Sequence, residues 1–473
     1  MADHSLPTAD KEIAKADFGD EVTQADSIAT INALVIEDHS HEIKLRTMSW
    51  KKAAWLLCGD QVGLAIMAQA WSLSVLGWVP WAVTTILAGS LFWVTSMTMH
   101  KYLMKYPQIR DICDFGFHIF GRSRVAYWVT AFMLLANNIL LIGFHVLTGA
   151  KVLNVLSDHS QCSVVFAVIV MIMGILTSIT RTLHHISIMS LVSGDLCDDN
   201  IPPLFMIFAG VEKTPLHGYH GDYPTARLVK TYAFPLLGTT WVDCMNATLN
   251  VTFLWVPQIL FPQFIAEMER PQDFPKALAV LLGVTTILFT VPPAISFHLL
   301  GQYSVAPAFG SLRVSAYEKA SSAFVIVPTL VIGIIYSNTT AKFIYHRVLG
   351  TSRHTHSHTV VGWAVWGLIV SGVWILSFIF AEVIPSMGDF LSLLSAAFDS
   401  FFGYIFFAIC YWQLYQGRCF QTFGRSVMTL IHIFVMIVGL FILGPGLYAA
   451  VKAIVADYSG ATSPAFSCAD VSF

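Results

Sequence analysis

The sequence predicts an all-α polytopic membrane protein with about eleven transmembrane helices. Three observations lead there. Of 473 residues, 56% are hydrophobic and only 12% charged, whereas soluble domains run nearer ~45–50% and ~25%. The apolar residues fall in blocks of about 17 to 25, the length that crosses a bilayer, and the mean hydropathy is +0.66. Basic residues concentrate in alternate connecting segments. A cytosolic enzyme is excluded by this composition, and a net charge of -3 offers no basic surface to nucleic acid.

The chain opens with a polar tail, residues 1–44. Through residue 43 it holds ten Asp or Glu against Lys11 and Lys15. Such a segment cannot bury enough surface to fold alone, so it reads as a disordered acidic tether. No short basic-then-apolar start resembles a signal peptide, and the first true span is expected to drive insertion. Eleven apolar spans follow, at 53–76, 81–100, 125–148, 163–180, 186–210, 241–266, 277–299, 322–341, 359–381, 387–412 and 428–454. They make a membrane domain over 45–455, with a short non-cytoplasmic tail at 456–473. Threading the spans alternately puts Lys151, Lys213, Arg227, Lys230, Arg313, Lys319 and Lys452 on one side and the other 19 of the 26 Lys and Arg on the opposite side. The positive-inside rule then sets the N-terminus in the cytoplasm and the C-terminus outside.

The fifth span is the anomaly. Its middle runs Gly-Asp-Leu-Cys-Asp-Asp-Asn-Ile-Pro-Pro over 194–203. Three Asp near a helix centre cost roughly 8–10 kcal/mol, and the twelve larger apolar residues around them return only about 4–7. Deleting the crossing would invert every later span, so the crossing is kept. Either the acidic run is unwound against protein or water, or it marks a mistaken exon boundary. The remaining loops are short except 211–240. His354, His356 and His358 lie on a turn without Cys or carboxylate partners and read as a solvated loop.

Catalytic signatures are missing. There is no His-Glu-x-x-His, Gly-x-Ser-x-Gly, P-loop or Cys-x-x-Cys, so no enzyme, cofactor or metal site is expected. Eight scattered cysteines suggest neither zinc nor redox chemistry. Cys162 and Cys468 lie clearly on the outer side, which makes a disulfide between them the working expectation.

What the chain offers is interrupted helices. Gly59-Asp60-Gln61-Val62-Gly63 and Gln69 break the apolar run of span 1, and Pro257-Gln258 sits in the middle of span 6 with Pro262 a turn later. Broken helices leave backbone groups that survive in hydrocarbon only if a cavity or ligand satisfies them. A half-helix N-terminus suits a carboxylate, and freed carbonyls suit an ammonium or a cation. The two breaks are five spans apart, as expected if spans 1–5 and 6–10 form inverted five-helix repeats with one extra helix. Intramembrane polar groups add to the pattern. Asn246, Asn250 and the Ser/Thr residues read as interhelical hydrogen bonds. A buried carboxylate is costlier, which makes Asp60 the first and Asp399 the second candidate for carrying a proton.

Several runs resemble the amino acid/auxin permease family: 64–77, 108–114, 241–247, 336–343, 357–363 and, most specifically, Phe-Pro-Gln-Phe-Ile-Ala-Glu-Met-Glu-Arg-Pro-Gln-Asp-Phe-Pro-Lys-Ala over 261–277. The match is nearest to its filamentous-fungal neutral and aromatic amino acid branch and covers about residues 45–455. The resemblance implies an eleven-helix bundle with inverted repeats and proton-coupled symport of amino acids. It implies substrate contacts at Ile66, Met67, Ala68, Gln69 and Ala70, facing Phe253, Leu254, Trp255 and Gln258, with Asn138 and Ser337 closing the pocket. Three positions depart from the family pattern: Ala70 where Pro is common, Gln69 where the fungal branch carries an apolar or aromatic residue, and Pro257 where Gly is usual. The expected partners are an amino acid or related zwitterion, protons and the lipid bilayer, and the plasma membrane is favoured over the vacuolar one. Two alternatives stand beside this reading: a carrier or exporter of a specialised metabolite or its amino-acid precursor, and a non-transporting amino acid receptor.

Overall fold

The computed structural model describes residues 48–61, 64–179, 201–212, 228–312, 314–349, 359–384, 386–459 and 465–468. The acidic tail, most of the 194–203 run and the three histidines at 354–358 lie outside the described residues. Among those described the secondary structure is helical, with one isolated backbone bridge between Met48 and Met268 and no strand.

The helices, in chain order, are α1 Trp50–Gln61, α2 Gln69–Leu76, α3 Trp78–Lys105, α4 Ile112–Ile119, α5 Arg124–Leu156, α6 Ser163–Ser178, α7 Ile201–Glu212 and α8 Trp241–Phe253. They continue as α9 Phe261–Glu267, α10 Phe274–Leu300, α11 Ser315–Leu349, α12 Val360–Val383, α13 Met387–Leu394, α14 Phe406–Leu414, α15 Phe423–Phe441 and α16 Leu447–Ser459. A π-helical stretch, Ser395–Ile405, fuses α13 to α14, and another, Ile442–Gly446, fuses α15 to α16. Among the described residues seven helices are long and apolar enough to cross a membrane; Ala65–Leu76, Ser163–Ser178 and Pro203–Glu212 are shorter apolar helices. These elements follow the expected spans in order, except that of the fifth only Ile201–Glu212 lies within the described residues. The first and sixth are divided, which is why no single long helix stands for either.

Local chemistry explains the ends. Ser123, Ser386 and Thr422 each accept a backbone N–H three residues on, at the starts of α5, α13 and α15. Thr240 and Asp243 form a reciprocal capping box that starts α8. Each cap satisfies donors that a helix end would otherwise leave bare.

α5 is the central post, packed by α11, α12, α6 and α4. Close approach rests on small residues, as expected where apolar packing must work without help from water. A Cβ on Gly174 would sit 2.3 Å from the ring of Trp374, and one on Gly116 equally near the Thr130 hydroxyl. Large apolar side chains point outward as well, with Leu368 74% and Ile287 61% exposed; this is the surface a bilayer would cover. The expected disulfide is present: Cys162, just before α6, is joined to Cys468 across 306 residues.

Candidate functional site

Both interrupted helices come apart where their sequences predict. α1 stops at Gln61, residues 64–68 form a 3-10 turn, and α2 resumes at Gln69. α8 stops at Phe253, residues 254–260 are irregular, and α9 resumes at Phe261 with Pro262 in its first turn. Pro257 has no N–H to give the helical ladder beyond Phe253. The Leu254 N–H turns instead to the Thr252 carbonyl, so the ordinary acceptor for that N–H, the Asn250 carbonyl, is released.

Two glutamines of span 1 take over. The Gln69 side-chain N–H donates to the Asn250 carbonyl at 2.9 Å, and the Gln61 side-chain N–H donates to the Leu254 carbonyl. Each glutamine borders the break in helix 1, and each covers a carbonyl at the break in helix 6. The polar interruptions of one helix thus satisfy the backbone of the other. α8 is further tied to α13: the Asn250 amide donates to the Gly388 carbonyl at 3.0 Å and to Ser392 Oγ at 2.9 Å. This is the interhelical role expected of Asn250.

Between the breaks lies a cavity of about 90 Å³. Gln61 and Ala65 line it from span 1, and Phe253, Leu254, Val256, Pro257 and Ile259 from span 6. Asn137, Leu141, Phe144 and His145 of α5, Ile332 and Tyr336 of α11, and Asp399 and Phe402 complete the wall. The described lining contains one carboxylate and no Lys or Arg. Its apolar part sets three aromatic rings (Phe144, Phe253 and Phe402) among aliphatic side chains, and its polar part converges from four directions.

Two of those polar groups each leave one atom without a partner. Asp399 is 7% exposed and His145 4%, yet Asp399 Oδ2 and His145 Nδ1 have no hydrogen-bond partner. Asp399 sits in the π-helical stretch, whose widened turns are frequent at functional sites. Its carboxyl bonds Ser395, whose hydroxyl is 3.0 Å from Thr252 Oγ1 on α8. A short polar chain therefore links the carboxylate to the broken helix. Leaving such groups unpaired costs about 1–3 kcal/mol each, more for a charge. A polar molecule in the cavity would remove that cost.

The structure sorts the residues expected at the site. Phe253 and Leu254 line the cavity. Ile66, Met67, Ala68, Gln69 and Ala70 are buried in the packing behind it, at most 6% exposed. Asn138 donates to Thr340 Oγ1 at 3.1 Å, while its neighbour Asn137 faces the cavity. Ser337 is buried with its hydroxyl unpartnered, and its neighbour Tyr336 takes the wall position. The Trp255 ring packs against Phe92 and Phe289 at centroid distances of 6.1 and 5.3 Å. Gln258 donates to Thr95 Oγ1 at 3.1 Å. Asp60 lies on α1, one residue before the cavity-lining Gln61. Sequence reasoning missed His145, although an ionisable side chain inside a span was the signal to follow.

A family model described as transmembrane amino acid transporter protein matches residues 46–451. The N amino acid transport system protein of Neurospora crassa is 23% identical over 430 residues, covering 90% of this chain and 89% of the relative. A transmembrane transporter of Gibberella moniliformis is 24% identical over 441 residues, covering 92% and 90%. The crystal structure of MhsT in complex with L-phenylalanine aligns with 85% of this chain and 97% of its own, at 13% identity and a TM-score of 0.47.

Proposed function

The chain belongs to the transmembrane amino acid transporter family, and from that premise we propose that it is a proton-coupled secondary carrier of neutral and aromatic amino acids. One observation carries the reading: a cavity lies where two broken helices meet, and its wall holds a carboxylate with one unpartnered oxygen and an unpartnered imidazole nitrogen. The aromatic wall of Phe144, Phe253 and Phe402 suits an apolar side chain. The cargo's ammonium answers Asp399, and its carboxylate answers donors at the breaks. Ile66 through Ala70, Trp255, Gln258, Asn138 and Ser337 hold the geometry of the breaks from behind.

Asp399 and Asp60 are the proton carriers in this reading. A carboxylate in a closed, emptied cavity is costly as an anion, so the empty carrier reorients with its acid protonated. One proton falling through ~100 mV supplies about 2.3 kcal/mol, and one pH unit adds about 1.4. The sum supports accumulation of a few hundred-fold. The basic majority of the connecting segments supports an N-terminus in the cytoplasm, and the disulfide fits an outer side facing an oxidising space, as at a plasma membrane.

The test is uptake of a radiolabelled amino acid panel into proteoliposomes at two external pH values. Acid outside should drive accumulation of neutral and aromatic amino acids. Binding without uptake, or uptake indifferent to the proton gradient, overturns the proposal.

A further inference from the structure

A second pocket, of about 180 Å³, opens far from the cavity, where α3, α14 and α15 end on the side that carries most of the basic residues. Its wall includes Thr98, Lys101, Tyr411, Tyr415, Arg425 and Met428. No Asp or Glu lines it, and among the described residues no carboxylate pairs with Lys101 or Arg425.

The inner wall is already satisfied. Thr98 and His432 Nε2 are 2.9 Å apart, His432 stacks on Tyr411 at 4.0 Å, and the Tyr411 hydroxyl donates to the Arg425 carbonyl at 3.1 Å. The cations are not. Arg425 spends one N–H on Gln421 at 3.1 Å and rests over the Tyr415 ring at 5.5 Å, which holds the guanidinium in place with most of its donors free. Lys101 is exposed beside it. Two like charges at one pocket, with no carboxylate partner among the described residues, suit an anion with several acceptor oxygens.

The surroundings say where that anion comes from. On the same helices as the lining residues, Trp412 is 39%, Val427 39% and Leu430 60% exposed, a surface that acyl chains would cover. A headgroup at the pocket and tails along these side chains would use both surfaces at once. We propose that this pocket binds the phosphate headgroup of an anionic membrane lipid. It takes no part in the transport reading and stands apart from it.

The experiment is native mass spectrometry of the full chain in detergent, titrated separately with phosphatidic acid, phosphatidylcholine and inorganic phosphate. Phosphatidic acid should be retained over phosphatidylcholine. Lys101→Gln and Arg425→Gln should each weaken that retention about fivefold and together about 30-fold. Lys105→Gln, a turn further along α3 and outside the pocket, should leave it unchanged. Unaltered melting of the variants would show that they fold. Equal retention of both lipids, or an equal loss in Lys105→Gln, overturns the site. Inorganic phosphate that binds as tightly as the lipid and displaces it assigns the pocket to a soluble anion and overturns the lipid proposal.

Discussion

Gln69→Leu isolates the device that holds the two breaks together. Gln69 is 1% exposed and donates to the Asn250 carbonyl across 2.9 Å. Leucine fills nearly the same volume, so little cavity or overpacking cost arises. What remains is a buried carbonyl with its helical donor turned away and its replacement removed, worth about 1–3 kcal/mol. At about 2–4 °C per kcal/mol for a larger domain, the melting temperature in detergent should fall by about 2–12 °C. Gln61→Leu tests the same logic with a smaller stake. Gln61 borders the cavity, where water can reach the Leu254 carbonyl in its place, so its loss should cost less than about 1 kcal/mol. The double variant should cost more than the sum if either amide alone keeps the breaks in register. A Gln69→Leu protein that melts within about 1 °C of the parent would refute the argument, because it would mean the carbonyl is satisfied without its amide.

Four further outcomes follow from the geometry. Asp399→Asn should abolish proton-driven accumulation while counterflow exchange of substrate persists; unchanged accumulation at acid external pH removes Asp399 from coupling. His145→Phe should raise the KM for uptake about tenfold or more by removing a hydrogen-bonding atom from the cavity, while His145→Asn, which keeps a polar atom near Nδ1, should recover most of it; equal KM values in all three proteins end that role. Gly174→Ala drives a methyl to 2.3 Å from the buried Trp374 ring and should destabilise by about 1–3 kcal/mol, which thermal melting reads directly. On α4, burial and then the neighbouring Asp111 push the Asp114 carboxyl up to about 6. A raised carboxyl contributes stability below its ordinary value near 3.8 and loses it as pH climbs through about 6. Asp114→Asn should therefore gain up to about 3 kcal/mol on the parent between about pH 4 and pH 7; a difference that does not vary over that range contradicts the assignment.

The architecture was readable because membrane spans are written in bulk composition. A run of about 20 apolar residues has few alternatives, and Pro257 marked a break because Gln258 and Pro262 stand beside it, whereas Pro328 lies inside the unbroken α11. Locating Cys162 and Cys468 on one side needed only a count of crossings. The wall of the cavity was harder to read, for a reason that Asn137 and Asn138 make plain. Consecutive helical residues point about 100° apart, so adjacent asparagines face different neighbours, and only the packing of α5 against α11 decides which one looks inward. The same one-residue difference separates Tyr336 from Ser337. Gln69 shows the other limit. Its amide is matched to a carbonyl 181 positions away, and nothing local to either residue encodes that pairing.

The isolated bridge near the start of the chain bears on how such a carrier can open. Met48 N–H donates to the Glu267 carbonyl at 3.2 Å, and the Glu269 N–H donates to the Met48 carbonyl at 3.0 Å. The lead-in to α1 is thereby clasped to the far end of α9, making the two short half-helices a single lever with one shared fulcrum. Any swing that widens a passage on that side must carry both arms together or first unclasp them, and a cross-link placed between residues 48 and 268 should leave the first kind of motion free while forbidding the second.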